Sequence, residues 1–120
     1  MAINRQIVYE KCNGHCAYCG KTITIKEMQI DHVIPKWLLS EREATLELYK
    51  EIHADSNLMP ACRRCNHYKR GDSLEGFRDK MKTLHERVCS HYIGKVALDY
   101  GIVKLEPFDG IFYFEKPCVS

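Results

Sequence analysis

Two short cysteine pairs, Cys16-Ala17-Tyr18-Cys19 and Cys62-Arg63-Arg64-Cys65, constrain this chain more than any other feature. A two-residue gap lets a tight turn aim both sulfurs at one ion, and two such pairs supply the four ligands of a tetrahedral zinc site. The chain holds seven cysteines, an odd number that cannot all pair as disulfides within one molecule. Clustered thiols in a reducing compartment are better explained by metal. Four thiolates fill the coordination shell of zinc and leave no position for substrate, so the expected zinc is structural. It would clasp together the two ends of the long segment between the pairs. Cys12, Cys89 and Cys118 lack the spacing and read as ordinary thiols, with Cys12 or His15 as possible substitutes for a ligand.

A chain of 120 residues fits one compact domain. Its hydrophobic fraction of 45% and charged fraction of 28% are those of a soluble globular protein. No apolar run approaches the roughly 18 residues of a membrane span. Met1 to Lys11 lacks the basic-then-apolar layout of a signal peptide, so the expected location is cytoplasmic and no membrane partner is expected. A net charge of +2 is too small to imply a polyanionic partner, but its distribution is uneven. Arg63, Arg64, Lys69 and Arg70 lie in one acid-free stretch beside the second cysteine pair.

The patterning alternates helices with short apolar runs. A helix is expected from about Asn4 to a stop at Gly14. Ile23, Ile25, Ile30, Val33 and Ile34 bracket a polar turn near Lys26 and Glu27 and suggest a β-hairpin over Lys21 to Pro35. Ser40 and Glu43 form a capping-box pair ahead of Thr45, Leu48, Tyr49 and Ile52, which share one helical face. Asp55 to Ala61 reads as a loop because of Pro60, leading into a helix that carries Cys65 to Arg70. Ser73 is placed to cap a further helix whose stripe of Leu74, Phe77, Met81, Leu84 and Val88 has the spacing of core packing. A helix over His91 to Tyr100 follows, and Ile102 to Leu105 and Ile111 to Phe114 flank an Asp109-Gly110 turn as a C-terminal β-hairpin. The class is α+β.

Between the cysteine pairs lies Gln29-Ile30-Asp31-His32-Val33-Ile34-Pro35, an acid and an imidazole side by side at the end of an apolar strand. Adjacent strand residues face opposite sides, so such a pair can divide its work, one holding a metal and the other acting on substrate. With Cys16 to Gly20, Asp31 to Pro35, Ser56-Asn57-Leu58 and Cys62 to Lys69 in this order, the chain resembles the zinc-containing branch of the HNH endonuclease family. The resemblance covers roughly residues 5 to 75, leaving about 76 to 120 as a C-terminal helical and hairpin extension of a single domain.

That resemblance implies a ββα-metal core, a β-hairpin plus a helix that grip one catalytic divalent cation. Asp31 and Asn66 would ligate magnesium or manganese, His32 would be the general base that takes a proton from water, and Asn57 would steady the loop and orient the histidine. Arg63, Arg64, Lys69 and Arg70 would meet phosphates of DNA, expected to be double-stranded. The implied reaction is one-metal hydrolysis of a phosphodiester, leaving 5′-phosphate and 3′-hydroxyl ends. The family's name calls for a histidine where this chain has Asn66, but asparagine stands there in many members, including the HNH domain of RNA-guided CRISPR nucleases. The chain also inserts Trp37 to His53, with a helix, where many relatives have a short glycine-rich loop. His53 and His67 are alternatives for metal or proton transfer. A non-catalytic zinc-braced module that binds nucleic acid or protein is the second reading of the same residues.

Overall fold

The computed structural model describes residues 3–40 and 45–117. It divides into two compact units, one of residues 1–74 with 112–120 and one of residues 75–111. The first holds every candidate site residue. The architecture is α+β, with one two-stranded antiparallel sheet and several helices. Among the described residues no helix is long and apolar enough to cross a membrane.

The chain opens with α1, Arg5–Glu10, because Asn4 accepts from the backbone N–H groups of Gln6 and Ile7 and satisfies donors that the first turn leaves free. Its apolar Val8 is buried, while Arg5 donates across to the carbonyls of Ile25 and Met28. The chain leaves this region through Gly14, whose φ of +79° is open to glycine at little cost.

The turn near Lys26 and Glu27 forms as expected, with Thr24 accepting from the backbone of Glu27 and Met28. The arm after it does not fold back on the arm before it. Strand β1, Gln29–His32, pairs instead with β2, Leu58–Ala61, in the register Gln29↔Ala61 to His32↔Leu58. Residues 58–61 are therefore a strand and not the loop that Pro60 suggested. A proline removes one ladder donor, and a two-stranded sheet tolerates this because each strand has an edge without a partner strand. The carbonyl of Pro60 also accepts from Ala17, which joins β2 to the first cysteine turn.

The segment between the strands carries α2, Leu46–His53, capped by Thr45 through a bond from the Leu48 N–H. Thr45 takes the capping role expected of Ser40, which bonds to the Trp37 carbonyl instead; Glu43 lies outside the described residues. Ile52 anchors α2 with no exposed surface. Helix α3, Arg63–Lys69, follows β2 directly, its first turn capped by the Cys62 sulfur accepting from the Cys65 N–H.

The expected C-terminal hairpin does not form. Its turn does, with Asp109 accepting from the Ile111 N–H and Gly110 at a φ of +85°. The second arm pairs elsewhere: Tyr113 and Phe114 donate to the carbonyls of Tyr18 and Ala17, and Phe112 and Phe114 set their rings edge-on to Tyr18. Aromatic burial against the cysteine turn thus replaces strand pairing.

In the second unit, the stripe expected on one helix is split between α4, Leu74–Lys82, and α5, Leu84–Ser90, because Thr83 leaves the helical region. Of that stripe Phe77 alone is buried, and Val88 is exposed, so it is not a continuous core. Helix α6, Tyr92–Asp99, packs with α5.

Gly20 tests the junction between the first cysteine turn and the C-terminal segment. It holds a φ of +81°, and an added Cβ would lie 2.8 Å from the Tyr113 ring. Gly20→Ala is expected to cost about 1–3 kcal/mol from backbone strain and overpacking, read as a lower midpoint in urea denaturation. An unchanged midpoint would contradict the packing.

Candidate metal centres and active site

The four paired cysteines converge. The sulfurs of Cys16, Cys19, Cys62 and Cys65 all lie within 4.8 Å of one another, with Cys19 and Cys62 at 3.9 Å, and none is in a disulfide. Zinc–sulfur bonds of about 2.3 Å in a tetrahedron put sulfurs about 3.8 Å apart, so the cluster is close to that size already. Its electrostatics call for a cation. A hydrogen bond from Cys65, with backbone donors, holds the Cys16 thiol down at about 4 against its own burial. Its bond to Cys16 and burial push Cys65 up, and burial together with the charge on Cys16 pushes Cys19 up. Once one sulfur is charged its neighbours resist ionising, and a bound dication removes that resistance. The cluster fits a structural zinc site. Cys12 and His15 are not part of it: Cys12 is buried apart, and the His15 ring sits against the Gly20 carbonyl and Tyr113. Cys118 lies outside the described residues, and Cys89 belongs to the second unit.

Zinc at this cluster would tie the turn before β1 to the N-terminus of α3, and α3 lies along one face of β1. Gln29 and Asp31 share that face by the two-residue repeat of a strand, and Asn66 and Lys69 share the facing side of the helix. They meet in two rungs. The Asn66 amide nitrogen donates to Gln29 Oε1 at 2.7 Å, which leaves its oxygen as the end able to bind a cation. Lys69 Nζ lies 3.2 Å from Asp31 Oδ2 and 3.4 Å from Oδ1.

Asp31 is 4% exposed and Lys69 is 0% exposed. The ammonium also donates to the Asp72 carbonyl at 2.8 Å, and the Tyr18 hydroxyl donates to Asp31 Oδ2. Burial, followed by the charge on Asp31, pushes the Tyr18 phenol up, so it stays a donor. Lys69 is thus not the phosphate contact expected of it, because its charge points inward to Asp31 and away from solvent. Pairing with Asp31 and with the carbonyls of Asp72 and His32 is what allows a lysine to be buried there.

His32 faces away from this pair. Its half-buried ring stands edge-on to His53 at 6.3 Å, and His53 in turn lies 4.4 Å from the Tyr49 ring on α2. Desolvation lowers the His32 pKa below 6.5, helped by the positive charge of Lys36, so its ring is neutral near pH 7. Asn57 is buried and staples the turn after β1. Its Oδ1 accepts from the Ile34 N–H, its Nδ2 donates to the carbonyls of Ile34 and Ile52, and its own carbonyl accepts from Val33.

The remaining basic residues lie on the outer side of α3. Arg63, Arg64, His67 and Arg70 are exposed. Arg63, Arg64 and His67 line a groove of about 400 Å³ with Lys21, Glu27, Ile23 and Cys62. At 100° per residue Arg63 is next to Asn66 around the helix, so the basic face begins beside the candidate cation ligand, and Arg70 follows as the C-cap with a φ of +55°.

Residues 16–71, just under half of the chain, match the family HNH endonuclease. This segment is similar to the HNH endonuclease family. The match spans both cysteine pairs, Asp31-His32, Asn57 and Asn66. Among solved structures, a crystal structure of the Type II-C Cas9 enzyme from Actinomyces naeslundii is similar to this chain with a TM-score of 0.48 and 25% sequence identity. The similarity covers 70% of this chain and 9% of that one, so the chain spans a small part of the length of the protein it resembles. No curated protein matches. The HNH assignment supports a nuclease-type function and nucleic-acid binding in general.

Sequence reasoning missed Tyr18 and Gln29 as members of the site. Tyr18 sits between two cysteines of the cluster, and no local pattern marks its hydroxyl as a partner of Asp31. The alternation of Gln29 with Asp31 was the available signal for the other.

Zinc removal tests the centre of this arrangement. A structural zinc is worth about 10–16 kcal/mol at pH 7, as large as the whole net stability of a domain. A strong chelator is expected to abolish the cooperative unfolding transition of the first unit and to reduce the near-ultraviolet circular dichroism of its packed aromatic rings, with zinc released as it does so. A metal-free chain that keeps both would show that the sulfurs merely pack.

Proposed function

We propose that this chain is a metal-dependent endonuclease that hydrolyses phosphodiester bonds of duplex DNA, with residues from about 76 to 120 an extension of a single nuclease domain. The observation that carries the reading is the joint placement of Asp31 and Asn66 on the facing sides of β1 and α3, with a neutral imidazole next in sequence to Asp31. Two oxygen donors from protein, the rest of the shell being left to water and phosphate, are what magnesium prefers, and manganese accepts the same set.

A divalent cation held there would supply stabilisation of the charge that develops on the phosphate and on the leaving 3′ oxygen. The work of the chain is then divided by strand geometry. Asp31, with Tyr18 bonded to its carboxylate, and Asn66, fixed by Gln29, would hold the cation's protein side. His32, on the other side of β1, takes a proton from the attacking water as its oxygen bonds to phosphorus and the bond to the 3′ oxygen breaks. Asn57 fixes the backbone that follows His32, so the imidazole approaches from a set direction. Arg63, Arg64 and Arg70 meet backbone phosphates, which give affinity without sequence preference.

One observation favours the second reading, a non-catalytic module: Asp31 already has Lys69 and Tyr18 as partners. Cleavage separates the two. With magnesium and supercoiled plasmid, His32→Ala is expected to lower the rate by about 10²–10⁴, and cleavage equal to the parent would sink the assignment. Because the lowered pKa keeps His32 neutral further into acid, the acid limb of kcat/KM should have its midpoint below 6.5. A midpoint above that value would mean a different base. Arg64→Gln, on the outer face, is expected to reduce the slope of log affinity against log salt by about 1, measured on duplex DNA without a divalent cation.

A further inference from the structure

We propose that Lys69 is a built-in competitor for the catalytic cation: its buried ammonium holds Asp31 in the cation-free protein and sets how weakly the site takes a divalent ion. The inference rests on the reading of Asp31 and Asn66 as cation ligands. Lys69 has no exposed surface, an uncommon state for a lysine unless its charge is paired. Its partners are Asp31 at 3.2 and 3.4 Å, the Asp72 carbonyl at 2.8 Å and the His32 carbonyl at 3.5 Å. One negative charge and two carbonyl dipoles therefore hold one positive charge. A buried carboxylate left alone would be costly, and Lys69 removes that cost when no cation is bound.

The same contact opposes the cation. A dication on Asp31 must accept a like charge a few ångströms away in a dry setting, or displace the ammonium from the carboxylate. Both alternatives lower the affinity. The carbonyls of Asp72 and His32 give the ammonium somewhere to remain when Asp31 turns to the ion. The Tyr18 hydroxyl bonds to Oδ2 as well, so the cation gains the carboxylate at the expense of existing bonds. The helix repeat gives Lys69 this position. It lies one turn from Asn66 on the side facing β1, so the candidate ligand and the competitor come from a single element.

Removing the charge then has two opposite effects. The cation-free protein loses stability, and cation binding becomes tighter because repulsion is gone and Asp31 has fewer partners. A residue that only positions Asp31 for the ion would give the reverse, looser binding.

The test is manganese binding to the full-length, zinc-loaded protein without DNA, followed by calorimetry and by the manganese electron spin resonance signal. Lys69→Met is expected to bind manganese about tenfold or more tightly than the parent, a change of about 1.4 kcal/mol, and to show a larger thermal stabilisation by the ion. Lys69→Arg, which keeps the charge, should bind within about threefold of the parent. Unchanged or weaker binding in a folded Lys69→Met variant overturns the proposal.

If that variant does not fold, the parent decides. In protein labelled with ¹⁵N-lysine, the Nζ signal absent from Lys69→Arg should shift as magnesium is added, with the midpoint of binding. A signal that stays fixed at saturation overturns the proposal. Asp31→Asn serves as the control for the underlying reading. If it binds manganese as the parent does, Asp31 is no ligand and both readings fall, whereas lost binding in Asp31→Asn with unaltered affinity in Lys69→Met removes the competitor alone.

Discussion

The convergence of four sulfurs is the constraint on which the rest of the first unit depends. The two strands are short, four residues each, and a two-stranded sheet has little independent stability. The helix that faces them spans only seven residues, too few to persist alone. The cluster removes the problem by joining the turn of Cys16 and Cys19 to the N-terminus of α3, with β2 running straight into Cys62. The carbonyl of Pro60 bonded to Ala17 and the rings of Phe112 and Phe114 against Tyr18 close the same junction from two further directions. Every contact between β1 and α3 that matters to the candidate site is therefore downstream of sulfur placement.

The cluster and the buried ion pair are connected through Tyr18. Its backbone lies between Cys16 and Cys19, and its hydroxyl reaches Asp31. The turn that carries two sulfurs thus also carries a donor to the proposed cation ligand. The sulfur cluster and the proposed cation site are therefore structurally coupled through one turn. Gln29 plays the corresponding part for Asn66 from the strand side. Each proposed ligand is held by side chains from other elements, so neither depends on its own rotamer alone.

How much of this was legible in the sequence follows from the range of each interaction. The cysteine spacing, the helix starting near Asn4, the helix carrying Cys65 and the turn at Asp109-Gly110 are local patterns, and each is found close to where the residues place it. What fails is partner choice. Apolar runs on both sides of Lys26 and Glu27 look like a hairpin, but β1 bonds to a strand that comes after the inserted helix. Ile111 to Phe114 look like a strand, but its aromatic rings find a better surface on Tyr18 than on Ile102 to Leu105. Non-local pairing is decided by packing that no local pattern records.

Lys69 shows the same limit in the candidate site. In sequence it is one of four cations in an acid-free run, and its neighbours Arg63, Arg64 and Arg70 are exposed as that run suggests. The helical repeat separates it from them, since it falls with Cys62, Cys65 and Asn66 on the face turned to β1. A basic patch read as one surface is therefore two: an outer set of guanidinium groups open to phosphate and a single inward ammonium committed to Asp31. The division has a physical rationale in the chemistry of the two side chains. Guanidinium forks suit phosphate oxygens at a wet surface, whereas a compact ammonium on a long apolar stem suits a buried carboxylate and can give it up to a stronger cation. Placing Lys69 one turn beyond Asn66 thus lets seven residues of helix carry a sulfur of the cysteine cluster, the proposed cation ligand, its proposed competitor and two exposed guanidinium groups.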